Sequence, residues 1–147
     1  QEHYAIILQL ENGKNIPVII GPQEAATFML KMTRQQTARP LTIDILDSVI
    51  SKTDMHIEKV VIEDLINQVY LAKIYLVSKR SGQKHQIDVR PVDGLSLAIT
   101  SHAKVFVSKK LVDRIDEITK PKPEQTPSTS STADEYLGQL TINGIDL

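Results

Sequence analysis

Cysteine is absent from the 147 residues, and so is tryptophan. Without cysteine there is no disulfide, no thiol nucleophile and no cysteine-ligated zinc or iron–sulfur site, and a reducing, cytoplasmic setting is the expectation. Aromatic side chains are scarce, at two Phe and four Tyr, which weakens any reading that depends on stacked bases. An excess of one charge is lacking too. The 17 basic and 18 acidic residues leave a net charge of −1, so no global field draws in nucleic acid or an anionic membrane. No run approaches the ~18 apolar residues of a membrane span, and no signal peptide is visible, so no membrane partner is expected. Neither a Gly-rich phosphate loop nor a nucleophile elbow appears, which argues against an NTPase or an ordinary serine hydrolase. His3, His56, His85 and His102 fall on different elements without metal-ligand spacing. Gln1 is not a natural translation start, so further residues are expected ahead of it.

What is there is organised around Arg90-Pro91-Val92-Asp93-Gly94-Leu95-Ser96-Leu97-Ala98. The alternating run before it, Lys84 to Val89, reads as a strand. Pro91 suits the first turn of a helix because it needs no N–H partner there. Asp93 places a carboxylate where unpaired N–H groups favour negative charge. Gly94 is small where the helix could pass close to a strand, and Leu95, Leu97, Ala98 and Ile99 supply apolar surface. A fainter copy lies 69 positions earlier: Gly21-Pro22-Gln23-Glu24-Ala25 matches Arg90-Pro91-Val92-Asp93-Gly94, and Gly13 matches Gly82. Each half reads strand, glycine turn, strand, Pro-x-acid-small corner, helix, which is the pattern of an internal duplication.

Taken in order, strands are expected at Tyr4 to Leu10 and Ile16 to Ile20, with a helix from Pro22 to Met32. A second helix covers Ile43 to Ser51, with Thr42 as its N-cap. Strands at His56 to Glu63 and Gln68 to Val77 flank a turn at Asp64 to Asn67. The Lys84 to Val89 strand, the Val92 to His102 helix, a strand at Lys104 to Val107 and a helix capped by Ser108 and ending near Ile118 complete the domain. This is an α+β fold, a mostly antiparallel sheet on central helices, built from duplicated βββα units, over residues 1–118. Residues 119–134 have the Pro/Ser/Thr composition of a linker. Residues 135–147 turn apolar again, as a tail that docks on its own or a neighbouring subunit would.

Glu24, Asp44 and Asp93 each stand in the first turn of an expected helix, and Glu63, Asp64 and Asp88 at strand ends. Each alone reads as dipole complementation and solubility. Two helix starts also follow an Arg-Pro pair, Arg39-Pro40 and Arg90-Pro91. If the corners meet, arginines and acids share a cleft, as phosphodiester hydrolysis requires: carboxylates for a divalent cation, arginine for anionic oxygens. Charge is locally uneven, with five basic residues against one acid from Lys73 to Arg90, and four against one from Lys104 to Arg114.

Four blocks, Asn15-Ile16-Pro17-Val18-Ile19-Ile20-Gly21-Pro22-Gln23-Glu24-Ala25, Arg39-Pro40-Leu41-Thr42-Ile43-Asp44-Ile45-Leu46, Val60-Val61-Ile62-Glu63-Asp64-Leu65 and Asp88 through Ala98, come in an order and spacing that resembles the bifunctional nuclease domain family. The resemblance covers roughly Tyr4 to Ile118. It implies a duplicated βββα fold, cleavage of DNA and RNA, and oligomers, dimers in the first instance. On that basis Asp44, Asp93 and Glu24 are the candidate catalytic acids, and Arg39, Thr42 and Arg90 the candidate substrate-binding residues. Mg²⁺ or Mn²⁺ is the candidate cofactor, with no metal ligand set assigned. The chain departs from the family pattern where Ile43 replaces the usual His after the Thr, where Val92-Asp93-Gly94 replaces Ser-Asp-Ala, and where the opening strand is missing or very short before Tyr4. Two functions follow: a nuclease of low sequence specificity, favoured by the Arg-Pro corners, and a non-catalytic module recognising an anion or a partner protein, favoured by Ile43 and by the lack of aromatic stacking.

Overall fold

The computed structural model describes residues 3–119 and 139–141. The linker expected over 119–134 lies outside these residues except for Thr119, and of the tail expected over 135–147 only 139–141 is described. Two antiparallel strands, β1 (Tyr4–Gln9) and β2 (Asn15–Ile20), open the chain. They turn at Gly13, whose φ of 83° is open to glycine at no steric cost. The helix α1 (Pro22–Met32) follows, then α2 (Thr42–Ser51). The strands β3 (Met55–Ile66), β4 (Val69–Ser78) and β5 (Lys84–Val89) form an antiparallel meander. It leads into α3 (Pro91–Ser101), β6 (Lys104–Val107) and α4 (Lys109–Thr119). The short strand β7 (Gln139–Thr141) runs parallel to β1.

The strands form two sheets, β2-β1-β7 and β5-β4-β3-β6, with β6 parallel to β3 and the hairpin pairs antiparallel. This is the α+β, mostly antiparallel architecture that the alternation and helical spacing imply. The bounds of β2 and α1 recur 69 positions on in β5 and α3: 15 to 84, 20 to 89, 22 to 91 and 32 to 101. Among the described residues no helix is long and apolar enough to cross a membrane.

The helix α3 is the hub. It packs on α1 and α2 and touches both sheets. Val92, Gly94, Leu95, Ser96, Leu97 and Ala98 are all buried, so the helix is covered nearly all round. Around it close Ile6, Leu8, Ile16 and Val18 from one sheet and Val60, Ile62, Ala72 and Ile74 from the other. His102 ends α3 in the left-handed conformation (φ 57°), and the Ala103 N–H bonds back to the Ala98 carbonyl, the six-to-one closure of a Schellman motif. The α4 helix is capped as expected, with the Leu111 N–H on Ser108 Oγ at 3.1 Å.

Most boundaries fall within one residue of the sequence reading, and two differences bear on the acidic residues. The β3 strand runs through Asp64 to Ile66, and the turn is Asn67-Gln68, both at positive φ (49° and 67°) as a two-residue hairpin turn demands. Asp64 looks like a turn residue, but in the fold it is 4% exposed, held by Arg114 and Lys110 of α4. The N-cap of α2 is Leu41, not Thr42, because Asp44 reaches back to accept the Leu41 N–H at 2.8 Å.

Candidate functional site

The strand β5 ends at Val89, and Arg90 stands as the N-cap of α3 with Pro91 behind it. Asp93 is then the third helical residue, one turn from the arginine. The Arg90 guanidinium grips it bidentately, Nε to Oδ2 at 2.7 Å and Nη2 to Oδ1 at 3.1 Å. Its remaining arm, Nη1, donates to Glu24 Oε1 at 2.7 Å, across 66 positions of sequence. The other oxygen of Glu24, Oε2, accepts the Gly21 N–H at 2.9 Å and so caps α1. The first turns of α1 and α3 therefore meet through one arginine, and two carboxylates stand where two helix N-termini favour negative charge.

These pairs are open to solvent: the side chains of Arg90, Glu24 and Asp93 are 67%, 30% and 46% exposed. The hydrogen bonds that Arg90 donates to Asp93, reinforced by the carboxylate's charge, raise the Arg90 pKa further. Arg90 uses three of its five N–H donors on the two acids, leaving two without a described partner for a ligand's oxygen. Paired, bidentate donors in an exposed corner suit a phosphate group.

The other candidates lie apart from this corner. Asp44 pairs with Lys31, whose hydrogen bond, opposed by burial, holds the carboxyl below its usual value. Lys31 is in the last turn of α1 and Glu24 in the first. Their separation along the axis is about 10 Å at the helical rise per residue. Arg39 is exposed and makes no described ion pair; its carbonyl accepts the Thr37 hydroxyl at 2.6 Å. Thr42 is exposed as the first residue of α2. Ile43 is half-buried against the core. The fold thus joins Glu24, Arg90 and Asp93, gives Asp44 to Lys31, and leaves Arg39 outside both pairings.

A divalent cation would find two carboxylates here. Among the described residues no group of three or more His, Asp or Glu side chains forms a preorganised cluster for a metal. Two carboxylates suit Mg²⁺ when substrate phosphate and water complete its shell.

Sequence reasoning missed two further ionic clusters. Asp64 accepts from Lys110 at 2.6 Å and from Arg114 at 3.0 Å, docking α4 on β3, and the Lys110 hydrogen bond lowers its pKa against the opposing effect of burial. Glu63 accepts from the Tyr75 hydroxyl at 2.8 Å and from Lys73 at 3.0 Å. Burial raises the pKa of Glu63, but those two partners together outweigh it and the net shift is downward. The partners lie 10 to 50 positions apart, so no local pattern signals them.

Comparison with known proteins matches residues 6–119 of this chain to the model of the bifunctional nuclease domain. Bifunctional nuclease 2 of Arabidopsis thaliana is 27% identical over 114 residues, covering 74% of this chain and 34% of the relative. Bifunctional nuclease 1 of the same plant is 25% identical over 151 aligned positions, 96% of this chain and 46% of the relative. An uncharacterized protein of Mycobacterium tuberculosis is 22% identical over 136 residues, 92% of this chain and 80% of the relative. The chain spans a third to a half of the length of the plant nucleases it matches. With the match running from β1 to the end of α4, the chain belongs to the bifunctional nuclease domain family.

Proposed function

We propose that this chain hydrolyses phosphodiester bonds of DNA or RNA with low sequence specificity, at the corner formed by Glu24, Arg90 and Asp93. The observation that carries the reading is the single arginine bridging the first turns of α1 and α3. An incoming phosphate exchanges with one carboxylate on the guanidinium, which takes its non-bridging oxygens. The released carboxylate orients a water molecule for in-line attack and accepts its proton as the phosphorus–oxygen bond breaks; the leaving oxygen takes a proton from solvent. Glu24 and Asp93 would also hold Mg²⁺ or Mn²⁺, which would supply charge neutralisation and a more acidic water. Arg39 and Thr42 would contact backbone phosphate, and Asp44 would act through Lys31 to fix α1 against α2. Contacts to phosphate carry no base information, hence the low specificity. The 69-residue recurrence of strand, corner and helix supports treating the corner as the meeting point of duplicated units.

The alternative is a binding module without catalysis. Ile43 favours it, filling core where a histidine could serve as base. In either case a cytoplasmic homodimer is proposed. Ile45, Leu46 and Val49 form an exposed apolar stripe on α2, uninterrupted by charge and so able to pack on its own copy. The separating experiment measures cleavage by wild type and Asp93→Asn in Mg²⁺, Mn²⁺ or EDTA, with circular dichroism on the same samples. Metal-stimulated cutting lost in a folded Asp93→Asn protein upholds the nuclease. A pure wild-type protein that never cuts establishes the binding module.

A further inference from the structure

Between the two register shifts of the β3–β4 ladder, from Lys59 to Ile62, the side chains of β3 and of its partners on β4 and β6 alternate between the two faces of the sheet. Val60, Ile62, Ala72, Ile74 and Val105 are buried toward α3. The opposite face of the same sheet retains solvent exposure and carries Lys59, Lys73, Tyr75, Lys104 and Phe106. Of the two phenylalanines, Phe28 is fully buried, while Phe106 is 42% exposed. Lys59 Nζ lies 5.0 Å from the Tyr75 ring centre and 5.9 Å from that of Phe106, so one ammonium group sits against two rings. Tyr75 is fixed by its hydroxyl on Glu63, and Lys73 answers that same carboxylate. Neither Lys59 nor Lys104 has a carboxylate partner among the described residues.

We infer that this sheet face binds single-stranded nucleic acid, with a base stacked on Phe106 and backbone phosphates on Lys59 and Lys104. The chemistry is that of sheet platforms that read unpaired strands: an exposed ring accepts the π-face of any base, and cations at strand spacing accept the phosphates. A duplex keeps its bases stacked on one another and cannot use the ring. The proposed corner lies on the other side of this sheet, where α3 packs, beyond the β5 edge. Phe106 lies on the β6 edge and Arg90 follows β5 on the opposite edge. Three strand intervals lie between the two edges, about 14 Å at the usual spacing, so a bound strand reaches the corner by passing around the β5 edge. The inference rests on the phosphodiester reading for its choice of ligand and names the form of substrate presented to that corner. It also explains how a chain poor in aromatics could still stack a base: the requirement is one ring in the open, not many.

The test is fluorescence anisotropy on the full chain in EDTA, with a labelled single-stranded oligonucleotide and the duplex of the same sequence. Single strand should bind at least tenfold more tightly than duplex, and Phe106→Ala should weaken it by about tenfold. Lys59→Gln should weaken it too, and should lower the slope of log affinity against log salt by about 0.7. Thermal melts of both variants guard against misfolding. Unchanged affinity in both folded variants overturns the inference, as does a poly-glutamate peptide that competes as strongly as an oligonucleotide. Cleavage by the same proteins in Mg²⁺ or Mn²⁺ separates the two readings. Binding that depends on Phe106 without cutting keeps the sheet face and removes the nuclease. Cutting with an unchanged KM in Phe106→Ala keeps the nuclease and removes the face.

Discussion

Gly94→Ala sets two effects of known sign against each other. In an ordinary exposed helix, alanine for glycine stabilises by about 1 kcal/mol through backbone entropy. In α3 a Cβ at residue 94 would stand 2.9 Å from Val60 Cγ1 and 3.2 Å from Val89 Cγ2. The nearer atom is hard to displace. Val60 is fully buried on β3, which is hydrogen-bonded to β4 on one side and β6 on the other, and a β-branched side chain has few rotamers to try. Overpacking of this kind costs about 1–3 kcal/mol, so the clash should win and the variant should lose on the order of 1 kcal/mol. The midpoint of thermal unfolding should fall by about 2–5 °C for a chain of this size. In a Val60→Ala background the obstructing methyl is gone, and Gly94→Ala should turn neutral or stabilising. That sign reversal is a coupling energy readable from a double-mutant cycle. A Gly94→Ala protein that melts higher than wild type in the native background would refute the close approach of α3 to β3.

Leu97 is fully buried at the hub, so Leu97→Ala should lose about 2–5 kcal/mol in urea unfolding with an unchanged m value; a loss under half a kcal/mol would place it outside the core. Asp44 and Asp64 have carboxyls held below their ordinary value, chiefly by hydrogen bonds from Lys31 and Lys110. A depressed folded pKa means stability that is fully present above about pH 4 and lost as pH falls through the lower, folded value. The melting temperature should accordingly drop below pH 4, and Asp64→Asn should be less stable at neutral pH with a flatter acid limb. Leu46→Glu, on the exposed stripe of α2, should convert a dimer to a monomer in sedimentation; a wild-type monomer at tens of micromolar would contradict the dimer.

Local grammar made much of this legible. Proline at the first helical position, an acid at the third and a glycine turn before them gave the bounds of α1 and β5 as found. The apolar residues after Asp93 gave the buried helix, and Gly94 marked its close approach to a strand. Asp64 was misread because its partners, Lys110 and Arg114, arrive from α4 and turn a loop-forming residue into a buried, satisfied one. Of the two arginines in Arg-Pro pairs, only Arg90 reached the acids. The 69-residue offset pairs the corner at Pro91 with the one at Pro22, which has Gly21 where the second has Arg90, while Arg39 lies ahead of α2, outside the stretches the offset aligns. Glu24 was visible as a carboxylate but not as the partner of Arg90, because that contact is made by helix packing.

The most direct test of the account is the kcat/KM for a single-stranded oligonucleotide measured on wild type and on Arg90→Gln. Exposed ion pairs contribute only about 0–1 kcal/mol to stability, and Arg90 is two-thirds exposed, so the variant should fold and melt close to wild type. Loss of the guanidinium would remove the proposed phosphate clamp, and kcat/KM should fall by about a hundredfold or more, the scale seen when a transition-state donor is removed. A folded Arg90→Gln protein that cleaves at the wild-type rate would contradict the assignment of the Glu24–Arg90–Asp93 corner as the site of phosphodiester hydrolysis.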